Sequence, residues 1–600
     1  MSERACEYDA NAYAGRVFAH VIHACGVRHV VVSPGSRSTP LTMAVARHPD
    51  LRKHVVLDER SAAFCALGIA KREGTPVVLI CTSGTAVANY HPAIIEAHHG
   101  QVPLLVVSAD RPPELRDCGA GQTIDQVHIY GRSVRCFHET GVPQPGLPYG
   151  QYLRDTIQHA LRVSCGPNPG PVHLNMPFRE PLPSRADSYE GSALDEAVNQ
   201  VCARSVTITS KQPKSCSWDG SMDLPAFISG SGALPAKTLL VFGSGDSLAC
   251  DMASRRAARI ASAKGWTLLS DALGPLRNVT DVPVVRFYDA ILRDPDHMRS
   301  LKPDLVIQFG QLPTSKVLRK AMTEWQIPVV LVSEGLTNFN ALRLPVLGHI
   351  NYADAGNWLE SSDAFRAGST LEFCSRWMQL DRGCGSRYAS HFEASTESAA
   401  KGESGWAWHL CGSIRTDCQL MVSNSNPVRD FEFFWRGNSF IKRVYCNRGA
   451  NGIDGVLSTA WGTALGSTIP TLLVSGDLAF LHDTNAWLTA SHHRGGGRLC
   501  VLLVDNHGGG IFEHLPVADG SPVFEQYFAT PHTVDFGSLC GAYGVQFRDC
   551  GDWKEACECV SRFLEGDGPD LQCVRMTCDR KSGASTRTLL QNEAAQGCVS

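Results

Sequence analysis

Two short segments of this 600-residue chain carry the residue types of a metal–phosphate site. Gly476-Asp477-Leu478 follows a β-rich run, Thr471 to Ser475, and Asp505-Asn506-His507-Gly508-Gly509-Gly510 follows another, Leu499 to Val504. A carboxylate, an amide oxygen and a glycine-rich backbone then meet at the ends of two strands that read as neighbours. These are hard oxygen ligands of the kind Mg²⁺ takes together with phosphate oxygens. The plainer alternative is a pair of ordinary glycine-rich turns.

Three further strand ends stand out. Ser33-Pro34-Gly35-Ser36-Arg37-Ser38-Thr39-Pro40 offers a tight turn, a helix cap and an arginine able to hold a carboxylate or phosphate. Asp58-Glu59-Arg60 places acidic residues at a helix start, where the macrodipole alone would favour them. Cys81-Thr82-Ser83-Gly84-Thr85-Ala86 is a strand, glycine turn and helix that can form an anion nest. No G-x-x-x-x-G-K-[ST] sequence is present, and Gly243-Ser244-Gly245 lacks the rest of G-x-G-x-x-G. A P-loop kinase or a simple dinucleotide enzyme is disfavoured.

Ligand-bearing turns of this kind need parallel strands behind them, because α/β sheets bind ligands beyond the carboxyl ends of strands. The expected strands are Val30 to Ser33, His54 to Asp58, Pro76 to Thr82, Pro103 to Ser108 and Val172 to Asn175, then Thr238 to Phe242, Leu305 to Phe309 and Val329 to Val332. Gln419 to Ser423, Thr471 to Ser475, Leu499 to Val504 and Leu571 to Met576 complete the set. Helical patterns lie between them, among them Ser38 to Arg47, Glu59 to Arg72, Ala86 to His98, Tyr152 to Val163, Leu248 to Lys264, Val456 to Leu465 and Phe536 to Tyr543. β-branched runs separated by helices predict an α/β fold with mostly parallel sheets, here in three domains. Polar, weakly periodic stretches near 183 to 235 and from Arg382 to Gly405 read as connections.

Composition is that of a globular chain: 43% hydrophobic residues and a net charge of −4, which favours neither nucleic acid nor an anionic membrane. No apolar run reaches the roughly 18 residues of a membrane span, and the charged start does not read as a signal peptide. The 23 cysteines include no C-x-x-C pair, and several lie in apolar runs. They read as reduced, buried thiols of a cytoplasmic protein.

At the residues quoted above the chain resembles the thiamine diphosphate-dependent enzymes. The match is closest to the carboligases of menaquinone biosynthesis, and it is carried by Ser33 to Leu41, Asp58 to Lys71, Thr82 to Asn89, Ala109 to Leu115, Asn424 to Arg429, Asn447 to Gly455 and Gly476 to Phe512. The resemblance implies a pyrimidine-binding domain over 1–185, a linker over 186–235, a central domain over 236–385 and a diphosphate- and metal-binding domain over 386–600. It implies a transferase that decarboxylates 2-oxoglutarate and joins the remaining fragment to isochorismate. The cofactor is then shared between subunits, in a homodimer or a dimer of dimers.

By the same resemblance Glu59 is the catalytic carboxylate, set against the cofactor's pyrimidine. Thr82, Ser83, Gly84, Asn89, Ile453, Gly476, Leu478, Ile511 and Phe512 line the cofactor, Ile453 as its apolar wedge. Asp477, Asn506 and the Gly508 carbonyl hold Mg²⁺ or Mn²⁺. Ser36, Arg37, Arg111, Gln122 and Lys316 face isochorismate; Asn424, Ser425, Arg429 and Arg448 face the part derived from 2-oxoglutarate.

The chain departs from the family pattern in places. Gly121 stands where asparagine is common, Asp505-Asn506-His507 replaces an asparagine-rich run, and Arg494-Gly495-Gly496-Gly497 is a glycine-rich turn. A different thiamine diphosphate enzyme, such as an acetohydroxyacid synthase or a 2-oxoacid decarboxylase, is the nearest competing reading. A non-catalytic member of the fold is the other; it predicts loss of Glu59, Asp477 or Asn506, all of which are present.

Overall fold

A computed structural model describes residues 8–183, 186–203, 233–245, 248–334, 339–364 and 367–596. Contacts divide it into two compact units, one of Met1–Lys214, Asn447–Leu465 and Asp483–His492, the other of Ser215–Cys446, Gly466–His482 and His493–Ser600.

The first unit is built on a six-stranded parallel sheet of β1 (His29–Val32), β2 (Arg52–Val55), β3 (Val77–Cys81), β4 (Leu104–Asp110), β5 (Phe137–Glu139) and β6 (Pro171–Pro177), in the order β2-β1-β3-β4-β6-β5. The inner strands β1, β3, β4 and β6 are buried at every residue, which is why they read as unbroken apolar runs. The helix Glu59–Glu73 crosses Val456–Ala464 in this unit at glycine: a Cβ on Gly68 would lie 2.1 Å from the Thr459 carbonyl oxygen, and one on Gly462 2.1 Å from that of Cys65.

The second unit holds two more parallel six-stranded sheets. The first of them orders β8 (Thr238–Phe242), β9 (Thr267–Ser270), β10 (Val284–Val285), β11 (Leu305–Phe309), β12 (Val329–Ser333) and β13 (Val346–Asn351) as β10-β9-β8-β11-β12-β13. A two-stranded ribbon pairs β7 (Ala233–Leu234) with β14 (Asp363–Ala364). The last sheet orders β15 (Cys418–Val422), β16 (Ile441–Tyr445), β17 (Thr471–Gly476), β18 (Leu499–Asp505), β19 (Gln546–Cys550) and β20 (Leu571–Thr577) as β16-β15-β17-β18-β20-β19. The outer two sheets thus share one strand order. In both, connections leave in opposite directions between the first and third strands, the switch point where α/β sheets open a crevice.

Several expected elements shift. The second strand is Arg52–Val55 rather than His54 to Asp58, because Asp58 leaves the sheet to cap the following helix. The helix expected over Ala86 to His98 is two, Thr85–Asn89 and His91–Gly100, the second with Pro92 in its first turn. Part of the expected 186–235 linker is the helix Ser192–Cys202, which buries Leu194, Val198 and Val201; residues 204–232 lie outside the described residues. The polar stretch from Arg382 onward is mostly helical. Ala367–Phe392 runs through it and buries Trp377, Leu380, Cys384, Tyr388 and Phe392 along one face.

Among the described residues no helix is long and apolar enough to cross a membrane. The described cysteines are all free, and most are buried.

Candidate active site

In the second unit the crevice of the last sheet is lined by the ends of β15, β17 and β18. Parallel pairing sets Gly476 beside Val504, so Asp477 and Asp505 leave adjacent strands together. Asp477 is 2% exposed. Its Oδ1 accepts from Leu478 N–H and its Oδ2 from Gly508 N–H, both at 2.7 Å. Burial, with Asp505 adding to it, pushes the Asp477 carboxyl up to about 7. His532 Nε2 stands 3.2 Å from Asp477 Oδ2 and 3.8 Å from Asp505 Oδ1, and Arg575 Nε lies 3.2 Å from Asp505 Oδ2.

Asn506 is buried and donates Nδ2–H to Glu403 Oε1 at 3.0 Å, while its Oδ1 has no hydrogen-bond partner. Gly508 has φ +138°, and a Cβ there would lie 2.2 Å from the Ala529 carbonyl oxygen, so this turn accepts only glycine. An orphaned amide oxygen, a buried carboxylate that needs a counter-charge and a glycine backbone fit a hard divalent cation. Ile511 and Phe512 lie in the short turn Gly510–His514 that continues this loop. Arg580 braces the same segment through Glu513 (2.5 Å) and Glu525 (2.7 Å).

Beyond β15, Asn424 is 2% exposed and Ser425 has φ +73°, strained for a residue with a side chain. Arg429, one turn into the helix Asn426–Phe434, donates Nη1–H back to the Ser425 carbonyl. Lys316 is exposed at the start of Lys316–Trp325, a helix capped by Ser315.

In the first unit the loops after β1 and β3 meet at the equivalent switch point. Thr82 Oγ1 accepts from Arg37 N–H at 3.2 Å, and a Cβ on Gly35 would lie 2.2 Å from Thr82 Cβ. Ser83 and Gln122 bond reciprocally: Oγ–H to the Gln122 carbonyl at 3.1 Å, and Nε2–H to the Ser83 carbonyl at 2.9 Å. Gly84, with φ +88°, donates N–H to Gln126 Oε1 at 2.9 Å. Arg111 reaches the Gly121 carbonyl through Nε and Nη2 at 3.3 and 3.2 Å. Ser36 and Asn89 are exposed, and Asn89 bonds the Thr85 carbonyl.

Glu59 is the first residue of Glu59–Glu73 and partly exposed, while Asp58 takes the cap by accepting from Arg60 and Ser61 N–H. Ile453 and Arg448, both partly buried, sit in a loop held by Glu96, which accepts from Gly449 N–H at 2.9 Å and Ala450 N–H at 2.6 Å.

The structure therefore brings together Gly476, Asp477, Leu478, Asn506 and Gly508 in the second unit, and Ser36, Arg37, Thr82, Ser83, Gly84, Arg111 and Gln122 in the first. Arg37 is not the open cation its exposed loop suggested. It is 2% exposed, donating Nη1–H to the Phe178 carbonyl and Nη2–H to Glu180 Oε1, each at 2.8 Å. Sequence reasoning missed His532, Glu403 and Gln126. None follows a strand end, and each reaches its partner from another segment, so no spacing signals them.

The model of the thiamine pyrophosphate enzyme N-terminal TPP-binding domain matches residues 13–129. The chain is 40% identical over 585 residues to 2-succinyl-5-enolpyruvyl-6-hydroxy-3-cyclohexene-1-carboxylate synthase of Thermosynechococcus vestitus, covering 96% of this chain and 97% of that protein. It is 38% identical over 579 residues to the synthase of the same name from Microcystis aeruginosa, covering 95% of this chain and 96% of that protein. Among solved structures it is similar to benzoylformate decarboxylase from Polynucleobacter necessarius, with a TM-score of 0.66 at 14% identity, over 94% of this chain and 98% of that one.

Proposed function

Because the chain belongs to the 2-succinyl-5-enolpyruvyl-6-hydroxy-3-cyclohexene-1-carboxylate synthase family of thiamine diphosphate-dependent enzymes, we propose that it decarboxylates 2-oxoglutarate and adds the resulting four-carbon fragment to isochorismate, releasing CO₂, in menaquinone biosynthesis. The observation that carries this reading is identity of 36–40% along nearly the whole chain with Glu59, Asp477 and Asn506 all in place.

Bound thiamine diphosphate supplies the nucleophilic carbon and the electron sink for loss of CO₂. The protein's part is orientation, charge and proton placement. Asp477, the Asn506 carbonyl and the Gly508 carbonyl would hold Mg²⁺ or Mn²⁺, whose charge would offset that of the diphosphate. Glu59 holds a proton at the aminopyrimidine. Ile453 would pack against the cofactor, which Thr82, Ser83, Gly84, Asn89, Ile511 and Phe512 would also line.

Both substrates are polyanions, so the cations divide between them: Arg37, Arg111 and Lys316, with Ser36 and Gln122, toward isochorismate, and Arg429 and Arg448, with Asn424 and Ser425, toward 2-oxoglutarate. Strain at Ser425 supports a binding role for its loop. The working assembly is a homodimer or a dimer of dimers; Val55 and Leu57, 55% and 62% exposed just before Glu59, support a covered surface there. Free cysteines support a reducing, cytoplasmic setting.

The test is CO₂ release from 2-oxoglutarate with Mg²⁺ and thiamine diphosphate, with and without isochorismate. Coupled consumption of both substrates is expected. Release that ignores isochorismate makes the protein a simple decarboxylase, and turnover of pyruvate instead overturns the substrate assignment.

A further inference from the structure

Glu403 lies in the bend before the helix Gly405–Ser413 and is 2% exposed. Its Oε1 accepts two amide N–H bonds, from Asn506 Nδ2 at 3.0 Å and from Asn426 Nδ2 at 2.9 Å. Arg587, on the last helix, lies 3.4 Å from the same oxygen and clamps Asp430 through two bonds of 2.5 and 2.9 Å. An amide has a donor end and an acceptor end, so a carboxylate that takes the NH₂ group turns the carbonyl oxygen the other way. The Oδ1 atoms of Asn506 and Asn426 are both buried without a hydrogen-bond partner.

Holding a carboxylate in so buried a place is costly, and burial raises the Glu403 carboxyl above its ordinary range despite Arg587. A shell of apolar side chains would be cheaper, but it would leave the Asn506 amide free to flip. In its flipped state the amide would present N–H groups to a cation. Asn426 opens the helix whose preceding loop holds Asn424 and Ser425, so the same oxygen also joins the loop after β18 to the loop after β15.

We propose that Glu403 is a positioning residue: it fixes the Asn506 amide with its carbonyl oxygen directed to the divalent cation, and it locks that loop to the loop carrying Asn424 and Ser425. This rests on the reading that Asp477, Asn506 and Gly508 hold the metal. A partner that orients a metal ligand typically changes metal affinity by ten- to a hundredfold when lost.

The experiment titrates Mg²⁺ into the full-length protein at fixed thiamine diphosphate, with cofactor binding read by tryptophan fluorescence and melting curves recorded beside it. Glu403→Ala is expected to raise the half-saturating Mg²⁺ about ten- to a hundredfold. Glu403→Gln keeps an acceptor oxygen at full reach and should stay near wild type. Glu403→Asp keeps the charge beside Arg587 but shortens the reach, and should need more Mg²⁺ than Glu403→Gln.

If the alanine variant does not fold, the glutamine and aspartate variants decide. Wild-type Mg²⁺ dependence in Glu403→Ala, or a glutamine variant as impaired as alanine beside a normal aspartate variant, overturns the proposal, the latter by making charge pairing its role. Asp477→Ala is run in parallel. If it loses Mg²⁺ dependence while Glu403→Ala does not, only the positioning role falls; if Asp477→Ala is also unaffected, the metal assignment itself falls.

Discussion

Gly508 donates its backbone N–H to Asp477 Oδ2 at 2.7 Å, so the loop after β18 is bonded to the loop after β17 at the point where the proposed metal ligands would lie. The carboxylate therefore does two things. In the proposed metal site it would present charge to the cation, and it holds the glycine turn whose carbonyl would complete the set. Asp477→Ala removes both and should abolish Mg²⁺-dependent cofactor binding; Asp477→Asn keeps an acceptor for Gly508 and should keep the loop but still bind metal weakly. A thiamine diphosphate titration at several Mg²⁺ concentrations checks this. Unchanged affinity at low Mg²⁺ in either variant places the metal elsewhere.

Glu59→Gln should leave the melting temperature nearly unchanged and remove most turnover. Asp58, not Glu59, caps the helix, so the isosteric amide costs the fold little. It cannot take or hold a proton at the cofactor. Steady-state rates with saturating 2-oxoglutarate and isochorismate are the measurement, and wild-type turnover would remove Glu59 from the mechanism.

What the sequence made legible follows from where each signal is stored. Asp477 and Asn506 could be read because parallel strands buried on both faces give continuous apolar runs, and a glycine-rich break marks where each ends. β5 and β19 stayed hidden: they are edge strands with mixed burial, so Phe137–Glu139 and Gln546–Cys550 show no such run. Serines, glycines and charges on the solvent side of Ala367–Phe392 masked its buried stripe. Glu403 and His532 act on residues far away in the chain, and only the folded sheet brings them there.

Gly68→Ala should destabilise the first unit although alanine favours helix by about 1 kcal/mol. The added Cβ would lie 2.1 Å from the Thr459 carbonyl oxygen, a backbone atom with little room to yield. Overpacking of this kind costs roughly 1–3 kcal/mol, which outweighs the propensity gain. A lower melting temperature is expected, and a raised one would mean the two helices can separate freely.

Glu432 supplies a pH dependence of stability. It is fully buried, accepts from Ala272 N–H at 2.6 Å and from the Tyr288 hydroxyl, and burial, with Asp271 adding and Arg277 opposing, pushes its carboxyl up to about 8. A carboxyl whose proton is held more tightly in the folded state contributes its full stability below the unfolded value, near 4.3. That contribution is lost as pH rises through about 8. Glu432→Gln is neutral throughout and should show a smaller fall in melting temperature as pH rises from about 4.3 to about 8. Parallel profiles for the two proteins would show that Glu432 titrates normally.

The arginines give the finest test of how two anionic substrates share one enzyme. Arg111 is partly exposed, and among the described residues its guanidinium bonds the Gly121 carbonyl at 3.3 and 3.2 Å, so it can turn to a carboxylate at small cost. A charge-assisted bond is worth about 1.5–3 kcal/mol, and each 1.4 kcal/mol is about a factor of ten. Arg111→Ala should thus raise KM for isochorismate roughly ten- to a hundredfold, with little change for 2-oxoglutarate or in melting temperature. Arg37 is buried between the Phe178 carbonyl and Glu180. Its alanine variant should lose stability as well as isochorismate affinity, because it strips a buried carbonyl of its donor. Arg429→Ala frees the Ser425 carbonyl and, like Arg448→Ala, should weaken 2-oxoglutarate use first. Kinetics with each substrate varied in turn, beside a melting curve for every variant, separate these outcomes. If all four variants raise both KM values equally, the division of cations between substrates is wrong, and if only melting temperatures change, these arginines serve the fold alone.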